Sequence, residues 1–252
     1  MGQKLGQHFL RKPAVLKRIA EAACPVRVPL VIEIGAGDGA LTGELAERAD
    51  RVVAIELDPE MIGRLAVRFA GDPRVRVAPG DVLATDLTQW GPAVVAGNLP
   101  YYITSPVIER VLAMGKLLDH AVFLIQKEVA DRITAKPGTR DYGFLTVATQ
   151  LSAEAKMLFK VPPGAFSPPP KVDSAVIRLN PRRPADGGPA PDPTPLLAFV
   201  GLCFRHKRKT LKNNLSAFFP APMLDALPEA NLRAEQLTIA QFRSIYLGLA
   251  GS

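Results

Sequence analysis

The chain has 252 residues, 48% of them hydrophobic, which is enough for a full α/β core with a small second domain. Its formal net charge of +7 indicates a polyanionic partner but no particular chemistry. Two distant cysteines, three scattered histidines and the lack of a long apolar run predict a cytoplasmic protein with reduced thiols, no metal and no membrane contact.

The first predicted elements are an arm and a helix. Residues 1–11 mix basic and apolar side chains and are expected to form an arm rather than a helix. A helix is predicted from Pro13 to before Pro25, because apolar residues recur there at helical spacing and proline suits a first helical turn.

A glycine-rich turn follows the first predicted strand, residues 30–34. The turn Gly35-Ala36-Gly37-Asp38-Gly39 precedes a helix over 41–48, and such a turn lets the backbone approach a ligand closely. The next strand, 51–55, ends at Glu56. That acid follows the turn at about the twenty-residue offset at which a carboxylate binds ribose hydroxyls.

The glycine spacing discriminates between cofactors. Dinucleotide sites use G-x-G-x-x-G, whereas this turn is G-x-G-x-G with the acid Asp38 inside it. A carboxylate there repels phosphate and favours an ammonium group, which indicates S-adenosylmethionine. The alternative is a tight turn that binds nothing. A third strand over 75–78 leads to Asp81, which is expected either to accept the amine of the cofactor adenine or to cap a turn.

A fourth buried strand, residues 94–96, leads into a rigid turn that contains Asn98, Pro100 and Tyr101. Proline cannot donate to a sheet, so the strand must stop before it, and ligands bind at such carboxyl ends. The Asn98 amide oxygen and a backbone carbonyl could accept both hydrogens of a planar amine while the Tyr101 ring stacks on its face. The alternative is an ordinary turn, since Asn and Pro are both turn formers.

The remaining predicted elements alternate in type. They are a helix from 105 through 112, a strand at 120–126, helices at 127–134 and 144–151, strands at 155–161 and 174–179, a linker at 181–195, and helices at 196–204, 223–227 and 239–249. A loop stiffened by prolines carries Phe166 between the last two strands. Two placements of Phe166 stay open: an exposed stacking platform, or a ring tucked under the loop.

Two segments are strongly basic, a loop at 135–143 and a run at 205–214 placed within the C-terminal helices. The run is either a solvated helix face or a phosphate-binding surface. The net charge and the turn at Asn98 favour phosphate binding. The expected RNA-binding residues are Lys136, Arg140, Arg205, Lys207, Arg208, Lys209 and Lys212.

Six motifs, in order over nearly the whole chain, resemble the ribosomal RNA adenine dimethyltransferase family. They are Gly6-Gln7-His8-Phe9-Leu10, Glu33-Ile34-Gly35-Ala36-Gly37-Asp38-Gly39, Gly97-Asn98-Leu99-Pro100-Tyr101-Tyr102, Pro137-Gly138 to Tyr142-Gly143, Phe166-Ser167-Pro168-Pro169-Pro170-Lys171-Val172-Asp173-Ser174 and Cys203-Phe204-Arg205-His206-Lys207-Arg208-Lys209. The similarity is greatest to the bacterial small-subunit branch, which dimethylates two adjacent adenosines in a hairpin loop near the 3′ end of 16S rRNA.

The resemblance implies a fold and a domain organisation. It implies a Rossmann-like α/β methyltransferase domain at 1–180, with a seven-stranded, mostly parallel sheet whose last strand is antiparallel. A small all-α, RNA-binding domain at 196–252 follows the linker. A monomer that takes part in small-subunit biogenesis is expected.

The resemblance also implies the site residues. The expected cofactor-binding residues are His8, Leu10, Gly35, Gly37, Glu56, Leu57, Asp81, Val82 and Asn98. Asn98, Leu99 and Pro100 would hold the target amine, with the adenine flipped out between Tyr101 and Phe166. Three alternatives stay open: a 23S rRNA methyltransferase of the antibiotic-resistance type, an assembly factor that mainly binds an immature subunit, and a small-molecule methyltransferase.

Overall fold

A seven-stranded sheet organises the computed structural model, which describes residues 8–183 and 192–250. The strands of the described residues are β1 (Phe9–Leu10), β2 (Val28–Ile34), β3 (Ala49–Glu56), β4 (Val75–Pro79), β5 (Ala93–Asn98), β6 (Leu118–Gln126), β7 (Ala153–Val161), β8 (Phe166–Ser167) and β9 (Ser174–Pro181). The sheet has the order β4-β3-β2-β5-β6-β9-β7, and β1 pairs with β8 outside it. Strands β2 to β6 pair in parallel and β9 is antiparallel to β6, so the predicted fold class is confirmed.

Helices connect the strands, most of them at the predicted places. Those of the described residues are α1 (Pro13–Ala23), α2 (Ala40–Ala46), α3 (Pro59–Arg68), α4 (Thr104–Leu112), α5 (Lys127–Ile133), α6 (Phe144–Ser152), α7 (Thr194–Cys203), α8 (Leu211–Leu215), α9 (Ala221–Asp225) and α10 (Ile239–Ala250). Pro13 stands in the first turn of α1, where its missing N–H costs nothing. No helix of the described ranges is long and apolar enough to cross a bilayer.

The central strands are buried on both faces. Ile32 of β2 lies opposite Val53 of β3 and Val95 of β5, and none of the three is more than 5% exposed. A continuous apolar run of this kind suits a parallel sheet covered by helices. The sheet therefore forms a rigid base whose strand ends position the loops that follow them.

The chain forms two compact units whose bounds differ from the predicted domains. One comprises residues 1–130 and 154–181, and the other comprises 131–153 and 182–252. The sequence-based division placed 131–153 with the sheet. Val147 and Leu151 of α6 instead share an apolar cluster with Phe199 and Phe242 of the C-terminal helices, so burial of the α6 apolar face assigns this segment to the second unit.

The basic run, which the sequence placed within the C-terminal helices, is helical only in part. Helix α7 ends at Cys203 and α8 begins only at Leu211, so residues 205–209, here called the basic turn, lie between helices. The side chain of Thr210 accepts the Asn213 amide at 3.4 Å and so caps α8. Of the predicted linker 181–195, residues 184–191 lie outside the described residues.

Candidate functional site

A cleft opens at the carboxyl ends of β2, β3, β4 and β5 and encloses about 1070 Å³ of free space, including its open mouth. Every residue expected to bind the cofactor lines it, namely His8, Leu10, Gly35, Gly37, Glu56, Leu57, Asp81, Val82 and Asn98. Leu99, Pro100 and Tyr101 line it too. The cleft therefore brings together residues far apart in sequence, as expected where parallel strands end at one edge.

The glycine-rich turn forms the wall of the cleft after β2. Gly35, Gly37 and Gly39 have φ angles of 70°, 57° and 83°, a conformation that costs residues with a Cβ atom energy. A Cβ on Gly37 would also lie 3.2 Å from the Phe9 ring. Glycine there keeps the backbone close both to the cleft and to Phe9.

Glu56 ends β3 and is only 6% exposed. Its Oε1 accepts the amides of Leu57 at 2.8 Å and Asp58 at 2.9 Å, and its Oε2 accepts the Gly37 amide at 2.7 Å. These three N–H groups fix the carboxylate in place. Each carboxylate oxygen can accept more than one hydrogen bond, so Oε2 retains capacity for a ligand hydroxyl.

Asp81 has the turn role that was one of its two predicted alternatives, and it also lies at the cleft. Its Oδ1 accepts the Leu83 amide at 2.9 Å, as a turn aspartate does, and the residue also lines the cleft after β4. The turn fixes the side chain without using its whole acceptor capacity.

Glu33 lines the cleft as a buried acid, a feature that the sequence reasoning did not single out. It is 1% exposed on β2, and burial raises its pKa to about 8, although the Thr42 hydroxyl donates to its Oε2. The available signal was an acid inside an otherwise apolar strand. At neutral pH the folded protein holds Glu33 mainly protonated, so it adds little negative charge to the cleft.

Residues 8–11 are here called the strap; His8, Phe9 and Leu10 line the cleft, and the strap is held by several hydrogen bonds. The His8 carbonyl accepts the Asn98 Nδ2 amide at 3.0 Å, and the His8 ring Nδ1 lies 2.9 Å from the Pro168 carbonyl. The Arg11 amide donates to the Ala165 carbonyl at 2.8 Å. The backbone of His8 thus sets the direction in which the Asn98 amide faces.

The turn after β5 holds Asn98 and Tyr101 rigidly. A Cβ on Gly97 would lie 2.4 Å from the Ile34 carbonyl oxygen, so only glycine allows β5 to approach the end of β2 this closely. With Nδ2 bonded to His8, the Asn98 Oδ1 has no hydrogen-bond partner among the described residues and can accept from a ligand. The Tyr101 hydroxyl is 2.8 Å from Ser174 Oγ, and burial raises the pKa of this phenol, which stays neutral.

Phe166 is not the exposed platform that one of the two sequence interpretations described. It is 5% exposed, pairs with Leu10 across β1 and β8, and belongs to an apolar cluster that includes Leu16. The ring is tucked under the loop because this position removes a large apolar surface from water. Tyr102, which lines the cleft and is 62% exposed, is the aromatic residue that sequence reasoning named only as part of a motif.

The two predicted basic segments meet within the second unit. Lys136, Arg140 and all of residues 205–209 are exposed, and the Lys207 ammonium donates to the Arg140 carbonyl at 3.2 Å. None of the basic side chains of residues 205–209 forms an ion pair with a described residue. Lys212 differs from them because it pairs with Asp225.

Asn214 stabilises the basic turn, a role the sequence reasoning did not assign. It is 4% exposed; its Oδ1 accepts the His206 amide at 3.0 Å, and its Nδ2 donates to the carbonyls of His206 at 3.2 Å and Lys209 at 3.4 Å. The buried amide fixes the backbone of the turn while its cationic side chains stay in solvent. Arg205 also lies 5.8 Å from the ring centre of Phe218.

The charges that line the cleft fit one type of cofactor. Among the described residues that line it are the acids Asp38, Glu56 and Asp81, the mainly protonated Glu33, and no lysine or arginine. Such a lining disfavours phosphate groups and suits a ligand with hydroxyls, an amine and a positive charge. No group of three or more His, Cys, Asp or Glu in the described ranges could hold a metal ion.

The fold and the cleft together are those of the Rossmann-like methyltransferase class. The sequence profile of the family described as "Ribosomal RNA adenine dimethylase" matches residues 2–250. The chain belongs to this family, so the resemblance seen in its motifs is confirmed, and it is an rRNA adenine dimethyltransferase.

Individual relatives agree with this assignment. The chain is 43% identical to a ribosomal RNA small subunit methyltransferase A from Acidobacterium capsulatum, over 96% of this chain and 89% of the relative. It is 38% identical to a protein of the same name from Koribacter versatilis, over 96% and 92% of the two chains.

Two solved structures resemble the fold over nearly its whole length. A dimethyladenosine transferase from Plasmodium falciparum gives a TM-score of 0.84 at 27% identity, covering 97% of this chain and 98% of the other. The 23S rRNA methyltransferase ErmE gives a TM-score of 0.74 at 29% identity, covering 96% of this chain and 99% of the other.

Proposed function

We propose that this protein transfers methyl groups from S-adenosylmethionine to N6 of two adjacent adenosines in a hairpin loop near the 3′ end of 16S rRNA. The products are N6,N6-dimethyladenosines, and the reaction belongs to cytoplasmic small-subunit biogenesis, carried out by a monomer. The observation that carries the proposal is an acid-lined cleft without lysine or arginine that ends at the Asn98 turn.

The order of the strands supports the cofactor. Across β4, β3, β2 and β5, the cleft presents Asp81, Glu56, the glycine-rich turn and Asn98 in sequence. In this arrangement Asp81 accepts the adenine amine and Glu56 accepts the ribose hydroxyls. When bound, S-adenosylmethionine supplies an electrophilic methyl group on a sulfonium.

Asn98 positions the target nitrogen. The adenine N6 lone pair is delocalised into the ring and is a poor nucleophile. The Asn98 Oδ1, directed by the bond from Nδ2 to His8, accepts one N6 hydrogen. The Pro100 carbonyl already accepts the Ile103 amide at 3.2 Å, so we assign the second N6 hydrogen to the Leu99 carbonyl. Holding both hydrogens favours a pyramidal nitrogen whose lone pair faces the methyl group.

No general base is needed for this step, because the proton leaves only after the new bond has formed. After the first methylation one N–H remains, and one of the two acceptors can still hold it. The same site therefore allows a second transfer to the same nitrogen. Positioning and electrostatics supply the rate in this mechanism rather than proton abstraction.

Tyr101 is the residue that we assign to stacking on the flipped adenine. Its hydroxyl is bonded to Ser174 and its ring centre is 5.7 Å from that of His8, so the ring has a defined orientation. Phe166 supports the strap from below through its pairing with Leu10. It could reach a base only if the proline-rich loop moved.

The basic segments of the second unit supply affinity for RNA in this proposal. The exposed cations Arg205, Lys207, Arg208 and Lys209, which form no ion pair within the described part of the chain, suit phosphates, since each contact releases counterions. Lys136 and Arg140 extend the same surface. Lys212 contributes less than the others, because Asp225 compensates its charge.

The similarity to relatives favours the small-subunit target over the alternatives. The curated relative at 43% identity carries a small-subunit name, whereas the large-subunit methyltransferase ErmE is 29% identical. An exposed basic turn has no use in a small-molecule methyltransferase. A role in subunit assembly is compatible with catalysis and does not replace it.

Methyl transfer to ribosomal particles tests the proposal. Small subunits that lack the modification are incubated with labelled S-adenosylmethionine, and the modified bases are mapped by mass spectrometry. We expect two adjacent adenosines near the 3′ end, each with two methyl groups. Large subunits assayed in parallel provide the alternative substrate. Labelling confined to large-subunit RNA, or to neither particle, would contradict the proposal.

A further inference from the structure

An ion pair joins the strap to the glycine-rich turn at the wall of the cleft. Nη1 of Arg11 contacts Oδ2 of Asp38, with the two side chains 47% and 17% exposed. Asp38 lines the cleft and Arg11 does not, so Arg11 reaches a ligand in the cleft only when its side chain turns from Asp38. The Arg68 guanidinium holds the Asp38 carbonyl at 3.0 Å, which fixes the backbone of the turn.

The position of this pair along the sheet indicates which part of a ligand it meets. Asp81 and Glu56 follow β4 and β3, Asp38 follows β2, and Asn98 follows β5. With adenine at Asp81, ribose at Glu56 and the methyl group directed at Asn98, the amino-acid part of S-adenosylmethionine is left at the β2 turn. This part carries an ammonium and a carboxylate on one carbon atom.

The other acids near this turn are less suited to an ammonium. Glu33 is buried on the floor, and burial favours its neutral form. Glu56 already accepts three backbone amides. Asp38, in contrast, is partly exposed, and its only described side-chain partner is Arg11. An exposed ion pair is weak, so its two members can each turn to a ligand at little cost.

We propose that Arg11 and Asp38 clamp the zwitterionic end of the cofactor. Asp38 accepts hydrogen bonds from the ammonium, and Arg11 donates to the carboxylate. Without a ligand, the two side chains neutralise each other. The inference rests on the proposed use of S-adenosylmethionine, and it assigns recognition of the amino-acid end to two side chains of this chain.

A pair of ligands isolates the clamp. S-adenosylhomocysteine carries the amino acid, whereas 5′-methylthioadenosine has the same nucleoside and sulfur without it. Calorimetry measures the affinity of both ligands for wild type and for the variants Arg11→Gln, Arg11→Lys and Asp38→Asn. The matched controls are Arg27→Gln and Asp50→Asn, an exposed arginine–aspartate pair at 2.6 Å that does not line the cleft.

We expect Arg11→Gln and Asp38→Asn each to weaken S-adenosylhomocysteine about tenfold, as for lost hydrogen bonds between charged groups. The affinity of these two variants for methylthioadenosine should stay within about twofold of wild type. Arg11→Lys should keep most of the affinity for S-adenosylhomocysteine, and the control variants should bind both ligands as wild type does. Thermal melting establishes whether each variant is folded. If Asp38→Asn is unfolded, the result for Arg11→Gln decides the test.

Three other results have distinct meanings. An equal loss of affinity for both ligands would show that the ion pair only holds the strap in place, and it would overturn the clamp. Unchanged S-adenosylhomocysteine affinity in folded variants would make it a solvated ion pair and also overturn the clamp. Wild-type protein that binds neither ligand would overturn the proposed cofactor itself, and with it the clamp.

Discussion

The cleft of the first unit and the basic turn of the second unit use polar groups in opposite ways. In the cleft, Glu56 is buried and bound to backbone amides. In the basic turn, a buried asparagine fixes the backbone, and the cations of residues 205–209 lie in solvent without ion pairs to described residues. Fixed acceptors discriminate between chemical groups, whereas free cations attract any phosphate backbone.

This comparison separates chemistry from affinity in the proposed mechanism. A group in the cleft acts on one or two atoms, so its loss should change turnover or cofactor binding. A group in the basic turn acts on the RNA backbone, so its loss should change RNA affinity and its salt dependence. Variants that violated this division would show that the two regions do not have separate roles.

The largest effect is expected for Asn98→Ala, because Asn98 acts on the nitrogen that changes geometry in the transition state. Single-turnover methyl transfer at saturating S-adenosylmethionine should fall about 100-fold or more, while subunit binding stays near wild type. The control Gln89→Ala removes an exposed amide outside the cleft. Methylation within a few-fold of wild type would show that the amide does not hold the target amine.

The next largest effect is expected when Arg205, Lys207, Arg208 and Lys209 are replaced together by glutamine. Each lost phosphate contact should lower the slope of log affinity against log salt by about one unit. Cofactor affinity should not change. Titration of RNA at several salt concentrations measures the slope.

A matched control for the basic turn removes cations that already have acidic partners. Arg27 and Arg64 pair with Asp50 and Glu60 at 2.6 Å and 2.5 Å. Their replacement by glutamine should leave the salt slope nearly unchanged. If both sets of substitutions lowered the salt slope equally per charge removed, the net charge of the protein would govern RNA affinity and the basic turn would have no special role.

A smaller effect is expected for Glu56→Ala. The ribose hydroxyls would lose a charged acceptor, so the affinity for S-adenosylmethionine measured by calorimetry should fall about tenfold or more. The three backbone amides would also lose their acceptor, so a thermal melt must accompany the measurement. Glu60→Ala, an exposed acid on α3, is the control. Unchanged affinity in a folded Glu56→Ala variant would remove this residue from the cofactor site.

The smallest effect concerns stability and Glu33. The unfolded chain releases this proton near the ordinary pKa of 4.5, whereas the folded protein keeps it up to about pH 8. The folded state binds more protons within this window, so the contribution of Glu33 to stability falls as the pH rises from 4.5 to 8.

Glu33→Gln mimics the protonated acid and removes that dependence. The melting temperature of this variant relative to wild type should rise from pH 5 to pH 8, and the exposed control Glu60→Gln should show no such trend. A difference that is constant with pH would mean that Glu33 titrates alike in the folded and unfolded protein.

The sequence alone determined most of the architecture. Its strands are buried apolar runs that end at glycine or proline turns, and both signals depend only on neighbouring residues. Because the carboxyl ends of parallel strands share one edge, Gly35, Glu56, Asp81 and Asn98 could be expected together, and the structure places all four in one cleft. Motif order then identified the family.

Only the tertiary structure decided features that depend on distant partners. The ring of Phe166 is buried because Leu10 and Leu16 supply an apolar cluster for it. The residues 131–153 join the second unit because Val147 finds its partners on the C-terminal helices. Local sequence contains neither fact, since burial depends on which surfaces meet.

The same reason applies to the polar contacts. A basic run is compatible with a helix until Asn214 bonds to the backbone of His206 and Lys209 and fixes it as a turn. Arg11 and Asp38 are separated by 27 residues, and no local spacing relates them. They form an ion pair because the Phe9 ring, two residues before Arg11, lies against Gly37 of the glycine-rich turn.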